Sequence, residues 1–185
     1  MKTKLAMFDL DGTLYDTRKT NYCSYRDALK QYNLGLDYDY FSKYCNGRHY
    51  TEFLPQIMGN NYNIDEVHAT KKIIYIQYLN ESIENTHLFN IIEKLREEYY
   101  IALVTTASRK NCVDIINYHG RLTAFDLIIS QEDVDKTKPD PEGFLKAMNY
   151  FGIRCENSII FEDSDVGIEA AICSGATVFT VKGFA

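Results

Sequence analysis

The stretch MFDLDGTLYDT, residues 7 to 17, continues an apolar run that begins at Leu5. The run from Leu5 to Phe8 is too short for a helix, and it is typical of a buried β-strand. It ends in two aspartates, Asp9 and Asp11. Two carboxylates at the end of a buried strand repel each other, so the fold must bring a positive charge to this place.

Other short apolar runs predict further strands, and their continuous hydrophobicity is typical of parallel strands that are covered on both faces. The runs are Ile101 to Val104, Ser158 to Phe161, Thr177 to Val181 and, more weakly, Phe125 to Ile129. Helical spacing lies between them, from Leu88 to Leu95, from Phe144 to Phe151, and from a cap at Ser164 or Asp165 to Gly175. This alternation predicts an α/β fold with an open, doubly wound parallel sheet.

Residues 17–85 do not follow the alternation. Tyrosines and leucines at helical spacing predict helices there, with one stripe at Tyr22, Tyr25, Leu29 and Tyr32 and another at Val67, Lys71, Ile74, Tyr75 and Tyr78 behind a capping Asp65. We expect a small all-α cap domain inserted after the first strand, with the catalytic core formed by 1–16 and 86–185.

Polar side chains follow several of the predicted strands. Thr105 and Thr106 follow the second strand, Glu162 and Asp163 end the run IIFEDSD, and Lys138 lies beyond the weaker strand in KTKPDP. In an open parallel sheet these strand ends meet where ligands bind. Clustered carboxylates need a cation, and hard oxygen ligands favour Mg²⁺.

The two aspartates of the opening stretch suit phosphoryl transfer. Residues two apart on an extended chain point the same way, so Asp9 and Asp11 can meet one substrate as nucleophile and proton donor. A carboxylate nucleophile can form an aspartyl-phosphate, and a lysine with a threonine hydroxyl can balance the phosphoryl oxygens. A calcium loop of the EF-hand type does not fit, because glycine stands at the fourth position and not the sixth.

At these residues the chain resembles the haloacid dehalogenase superfamily of phosphatases, in the subgroup with a helical cap inserted after the first motif, as in β-phosphoglucomutase and phosphoglycolate phosphatase. DLDGTLYDT is similar to the first motif, VTT to the second, KTKPDP to the third and FEDSDVGIEAA to the fourth. All four motifs occur in the family's order and spacing.

The resemblance implies a role for each residue. Asp9 is expected to be the nucleophile and a magnesium ligand, and Asp11 the general acid and base, with its carbonyl on the metal. Thr105 is expected to bind the phosphoryl group, Lys138 to neutralise it, Asp163 to bind Mg²⁺, and Glu162 to touch the metal or its water shell. Two alternatives stay open: Thr106 could supply the hydroxyl, and Lys136 could be the motif lysine.

The segment CNGRHY, residues 45 to 50, resembles the loop by which such caps reach the substrate. Gly47 would make the turn, and Arg48 could bind the part of the substrate that does not react. An ordinary solvated loop is an equally good interpretation.

These observations predict a magnesium-dependent phosphatase that acts on a small phosphorylated metabolite. A phosphomutase, such as a sugar phosphomutase, shares every core residue, and a non-catalytic binding protein of this fold is a third hypothesis. A net charge of -6 without a basic cluster argues against nucleic acid. No run is long enough for a membrane span, and five scattered cysteines favour the cytoplasm. We expect a monomer or a weak homodimer; the sequence does not identify the substrate.

Overall fold

The computed structural model describes residues 2–59, 63–182 and 184. Two compact units divide the chain: Met1–Asp16 with Ile83–Ala185 form one, and Thr17–Ser82 form the other. The second boundary therefore lies three residues before the one expected at 85/86. The reason is a short strand at Ile83–Glu84, which pairs with Tyr15–Asp16 and so belongs to the first unit.

The first unit is built on a five-stranded sheet in which every neighbouring pair is parallel. Its strands are β1 (Lys4–Phe8), β4 (Tyr99–Val104), β5 (Leu127–Ile129), β6 (Ser158–Glu162) and β7 (Thr177–Thr180), in the order β5-β4-β1-β6-β7. The remaining strands, β2 (Tyr15–Asp16) and β3 (Ile83–Glu84), form an antiparallel pair. The predicted α/β fold is confirmed, and β1 lies at the centre of the sheet.

Both faces of the sheet are covered. Leu5 and Met7 of β1 pack into one apolar cluster with Phe144 and Ala170, while Ala6 and Phe8 point to the opposite face and are equally inaccessible to solvent. The helices of this unit are α5 (Thr86–Leu95), α6 (Arg109–Tyr118), α7 (Glu142–Phe151) and α8 (Asp165–Cys173). Burial on both faces explains the continuous apolar runs in the sequence.

Side-chain caps fix where these helices begin. Ser108 accepts a hydrogen bond from the backbone N–H of Asn111, and Ser164 accepts one from that of Gly167. The cap expected at Ser164 or Asp165 is therefore Ser164. Both α6 and α8 begin a few residues after the ends of β4 and β6, and their N-termini adjoin the predicted site.

The second unit is helical, as expected. It contains α1 (Arg18–Lys30), α2 (Tyr38–Tyr44), α3 (Tyr50–Met58) and α4 (Ile64–Ile74), followed by a 3₁₀ helix at Tyr75–Glu81. Its core joins Tyr25, Leu29, Phe41, Phe53 and Val67. The helices in the described ranges are all too short, or too polar, to cross a lipid bilayer.

Three details of the insert correct the predictions. The cap of α4 is Asn63, whose side chain accepts hydrogen bonds from two backbone N–H groups, and Asp65 lies inside the helix. Tyr75 and Tyr78 belong to the 3₁₀ helix, where the chain tightens after α4. Tyr32 follows the end of α1, in a turn closed by Asn33 at positive φ.

Candidate active site

The site lies at the carboxyl ends of the central strands, where a polar residue directly follows β1 and β4 and another ends β6. Asp9 directly follows β1, and its backbone N–H donates to the carbonyl of Phe161 at 3.0 Å. Thr105 directly follows β4, and its backbone N–H donates to the carbonyl of Ile129 at 2.9 Å. Backbone hydrogen bonding between neighbouring strands thus continues one residue beyond β1 and β4, and it fixes the positions of these two residues.

Lys138 links two of the acidic side chains. Its Nζ lies 2.6 Å from Asp9 Oδ1 and 2.6 Å from Glu162 Oε2, and it also donates to the carbonyl of Val104 at 3.0 Å. The Lys138 side chain is only 7% exposed. Lys138 therefore provides the positive charge that the strand-end aspartates require, from 129 positions along the chain.

This geometry separates the two candidate lysines. The side chain of Lys136 is 74% exposed and pairs with Asp140 across 3.7 Å. Only Lys138 of the two reaches Asp9. Lys138 is therefore the lysine that the third motif brings to the site.

Burial and charge shift the pKa values in this cluster. Burial and then the charge of Glu162 raise the pKa of Asp9 well above its usual value, although Lys138 opposes this effect. Burial would lower the pKa of Lys138, but the carboxylates of Asp9 and Glu162 outweigh burial and raise it. The ammonium group thus stays charged at neutral pH.

Glu162 is the most tightly held acid of the site. It is 0% exposed, and Oε1 accepts hydrogen bonds from the backbone N–H groups of Asp163 and Ser164 and from the Ser164 hydroxyl. A Cβ atom at Gly167 would lie 2.1 Å from the Glu162 carboxyl carbon. Glycine at this position therefore lets the start of α8 close around the carboxylate.

Asp163 faces the turn that follows β1. Thr13 Oγ1 donates to Asp163 Oδ1 at 2.7 Å, and a Cβ atom at Gly12 would lie 2.1 Å from Oδ2. Gly12 has φ +93°, a conformation that glycine adopts without strain. Burial raises the pKa of Asp163 to about 6; Glu162 and Asp11 add to this effect, and the Thr13 hydrogen bond opposes it.

The carboxylates fit a hard divalent cation. One oxygen from each of Asp9, Glu162 and Asp163 can lie within 4.8 Å of the others. The close approach of Asp163 to the Gly12 backbone keeps one oxygen beside the end of β1. A compact set of oxygen donors without histidine or cysteine suits Mg²⁺.

The threonines of the second motif differ in burial. Thr105 is 5% exposed, and its Oγ1 accepts a hydrogen bond from the backbone N–H of Ala107 at 3.0 Å, which leaves the hydroxyl hydrogen for donation to a ligand. Thr106 is exposed. The structure thus favours Thr105 as the hydroxyl that faces a phosphoryl group.

The other predicted residues fall in two places. Asp11 is half-buried in the turn after β1. Gly47, with φ +78°, and Arg48 are exposed in the turn between α2 and α3 of the helical unit, and their contact with a substrate stays a prediction.

Two contributors were not predicted. Thr13 holds Asp163, and the Val104 carbonyl holds Lys138. Thr13 is a polar residue of the first motif, two positions after Asp11, so the sequence does offer a signal for it, whereas a backbone carbonyl leaves none.

Comparison with known proteins points to the same family as the sequence motifs. Residues 6–181 match the family described as haloacid dehalogenase-like hydrolase. The chain is 27% identical over 180 residues to the fructose-1-phosphate phosphatase YqaB of Escherichia coli, covering 95% of each chain. It is 28% identical to the phosphoglycolate phosphatase of Aquifex aeolicus, covering 98% of this chain and 86% of the relative.

A solved structure supports the fold independently. CbbY from Rhodobacter sphaeroides, solved in complex with phosphate, superposes with a TM-score of 0.85 at 20% identity, covering 100% of this chain and 88% of CbbY. The match to the family spans the sheet, all four motifs and the helical insert. The resemblance in the motifs is thus confirmed, and the chain belongs to the haloacid dehalogenase-like hydrolase family.

Proposed function

We propose that this protein is a magnesium-dependent phosphatase that hydrolyses a small phosphorylated metabolite through an aspartyl-phosphate at Asp9. The contact that carries the proposal is the 2.6 Å pair between Asp9 and Lys138, because it places a positive charge directly against a buried carboxylate at a strand end. The phosphatases among the relatives support the same class of reaction.

In the first step, a carboxylate oxygen of Asp9 attacks the phosphorus atom and the ester bond to the leaving oxygen breaks. Asp11 gives its proton to that oxygen, so the dephosphorylated alcohol leaves neutral. Thr105 donates its hydroxyl hydrogen to a phosphoryl oxygen, and Lys138 balances the negative charge around Asp9.

In the second step, Asp11 takes a proton from water, and the water oxygen attacks the phosphorus of the aspartyl-phosphate. The bond to Asp9 breaks, inorganic phosphate leaves, and both aspartates return to their starting states. When bound, Mg²⁺ supplies positive charge that stabilises the phosphoryl oxygens. Asp9 and Asp163, with the carbonyl of Asp11, would hold the ion.

Glu162 contributes mainly through Lys138 in this proposal. Both of its oxygens already accept hydrogen bonds from protein groups, one from Lys138 and the other from the start of α8. We infer that Glu162 fixes the ammonium group and contacts the metal or its water shell with its remaining lone pairs. A cytoplasmic location, favoured by free cysteines at all five positions, belongs to the same proposal.

The test is phosphate release from a panel of sugar phosphates, phosphoglycolate, nucleoside monophosphates and pyrophosphate. We expect release from at least one ester with Mg²⁺, none with EDTA, and none from Asp9→Asn. Asp114→Asn is the matched control, since Asp114 pairs with Lys110 on the surface of α6. Absence of release across the panel, or full activity in Asp9→Asn, would refute the proposal.

A phosphomutase would use the same core residues, so the products distinguish it. A hexose 1-phosphate converted to its 6-phosphate isomer without release of phosphate would identify a mutase. We expect free phosphate and sugar in equal amounts.

A further inference from the structure

Lys138 lies in the loop between β5 and α7, residues 130–141, and its contacts depend on the position of the loop backbone. The Lys138 side chain spans the distance to Asp9 and Glu162 with every N–H of its ammonium group engaged. A small displacement of the backbone would stretch all three hydrogen bonds together. The position of the loop therefore determines the position of the charge.

The carboxylate of Glu162 does not hold the loop backbone, but that of Glu142 does. Glu142 Oε1 accepts a hydrogen bond from the backbone N–H of Asp135 at 3.0 Å, and Oε2 accepts one from that of Lys136 at 2.8 Å. The two amides are consecutive, so one carboxylate group bridges them with both oxygens. The bridged backbone lies only two residues before Lys138.

Lys146 reinforces this bridge from the next turn of α7. Its Nζ lies 2.6 Å from Glu142 Oε1 and donates to the carbonyl of Asp133 at 2.8 Å. The pairing lowers the pKa of Glu142 to about 2, with the two backbone hydrogen bonds adding to the effect. The carboxylate therefore remains an acceptor for both amides at every pH of interest.

The helix that carries Glu142 is itself anchored in the core. Glu142 is the first residue of α7, whose Phe144 and Ala147 are 1% and 0% exposed in the core. A Cβ atom at Gly143 would lie 2.9 Å from a methyl carbon of Val104, so the start of α7 packs tightly on the end of β4. The Val104 carbonyl also accepts a hydrogen bond from Lys138, so the start of α7 and the Lys138 ammonium group both contact the end of β4.

We propose that Glu142 is a positioning residue of the active site, which holds the 135–136 backbone so that Lys138 stays against Asp9. The consequence for turnover rests on the phosphatase function proposed above. Glu142 touches no substrate in this account. It acts through the loop, and its loss displaces the lysine without removing it.

One readout does not depend on activity. A trace of an acetylating reagent labels lysines, and mass spectrometry gives the labelling ratio, which is the rate at Lys138 divided by the rate at the exposed Lys94. In Glu142→Gln, one bridging oxygen becomes an amide nitrogen that cannot accept from a backbone N–H. We expect the labelling ratio to rise about three- to tenfold. Glu142→Asp keeps the charge and should restore part of the protection, and Glu97→Gln on the surface beyond α5 should change nothing.

The second readout is kinetic, measured well below the melting temperature of each variant. A misplaced lysine should lower kcat about tenfold or more while KM changes less than about twofold, because the lysine acts on the nucleophile. Glu142→Asp should recover part of kcat. If Glu142→Gln does not fold, Lys146→Met removes the support of Glu142 more gently, and we expect the same two changes at smaller size.

The outcomes separate this inference from the proposed function. An unchanged labelling ratio in folded Glu142→Gln overturns the positioning role, and so does a raised ratio with unchanged kcat. If the wild-type protein turns over no phosphate ester, the proposed function fails, and the labelling ratio still decides whether Glu142 positions Lys138.

Discussion

Replacing Lys138 with methionine should destabilise the protein strongly at neutral pH. The change keeps most of the side-chain volume but removes an ammonium group that lies 2.6 Å from both Asp9 and Glu162. Removing one partner of a buried ion pair costs about 3–5 kcal/mol, since the remaining charge is neither solvated nor paired. Here two carboxylates lose the same partner.

The cost should depend on pH in a defined direction. Burial and Glu162 already raise the pKa of Asp9 in the native protein, and loss of Lys138 raises it further. A carboxyl group whose pKa is higher in the native state than in the unfolded state lowers the free energy of unfolding most at pH values above the native pKa. The effect disappears at a pH where the group is protonated in both states. The deficit of Lys138→Met should therefore be large at pH 7.5 and shrink towards pH 5, by about 1.4 kcal/mol per pH unit for one proton.

Urea unfolding in EDTA measures both effects. With an m-value of about 2 kcal/mol/M, the midpoint at pH 7.5 should fall by about 2 M. Adding Glu162→Gln to Lys138→Met should recover about 1–3 kcal/mol, because the second change removes one unpaired charge. Lys136→Met, at the 74% exposed neighbour, should cost less than about 0.5 kcal/mol. A deficit below about 1 kcal/mol for Lys138→Met at pH 7.5, or one that grows towards pH 5, would refute the reasoning.

Three further predictions concern the metal and the acid. Gly12→Ala should weaken Mg²⁺ binding, measured by calorimetry, because its Cβ would meet Asp163. Gly152→Ala also places alanine at positive φ, but its Cβ would meet no neighbour, and we expect unchanged binding there. Mg²⁺ should raise the melting temperature most at pH 7.5 and progressively less below pH 6. Burial raises the pKa of Asp163 to about 6, so below that pH protons compete with the metal for this carboxylate. A rise in melting temperature that does not change with pH would contradict this prediction. Asp11→Asn should lower kcat far more than Mg²⁺ affinity, and an equal loss of both would mean that its role is misassigned.

The sheet was predictable because its strands are buried on both faces and so have continuous apolar sequences. The pair β2–β3 was not, since strands of two residues show no periodicity. The cap of α4 was misplaced because asparagine and aspartate are both good N-cap residues and Asn63 and Asp65 stand only two positions apart. Short-range patterns thus indicate that a helix exists more reliably than they indicate its first residue.

In the site, too, some features could be predicted from the sequence and others could not. The parallel topology predicted that a lysine of KTKPDP meets Asp9, because strand ends converge at one edge of the sheet, but it left both Lys136 and Lys138 open. The sequence did not indicate that Glu162 would be enclosed by the start of α8, or that Glu142 would bridge two amides of the loop. Those contacts depend on how closely backbones approach, and Gly143 and Gly167 permit that approach without any periodic signal.

In the proposed mechanism, Asp9 carries the phosphoryl group during turnover. The most direct measurement is acid quenching during steady-state turnover of the best substrate, followed by borohydride reduction and peptide mass spectrometry, since borohydride reduces an acyl phosphate to an alcohol. We expect homoserine at position 9 in the wild-type protein and none in the substrate-free control. Turnover that leaves Asp9 unmodified while another residue is reduced would overturn the proposed role of Asp9.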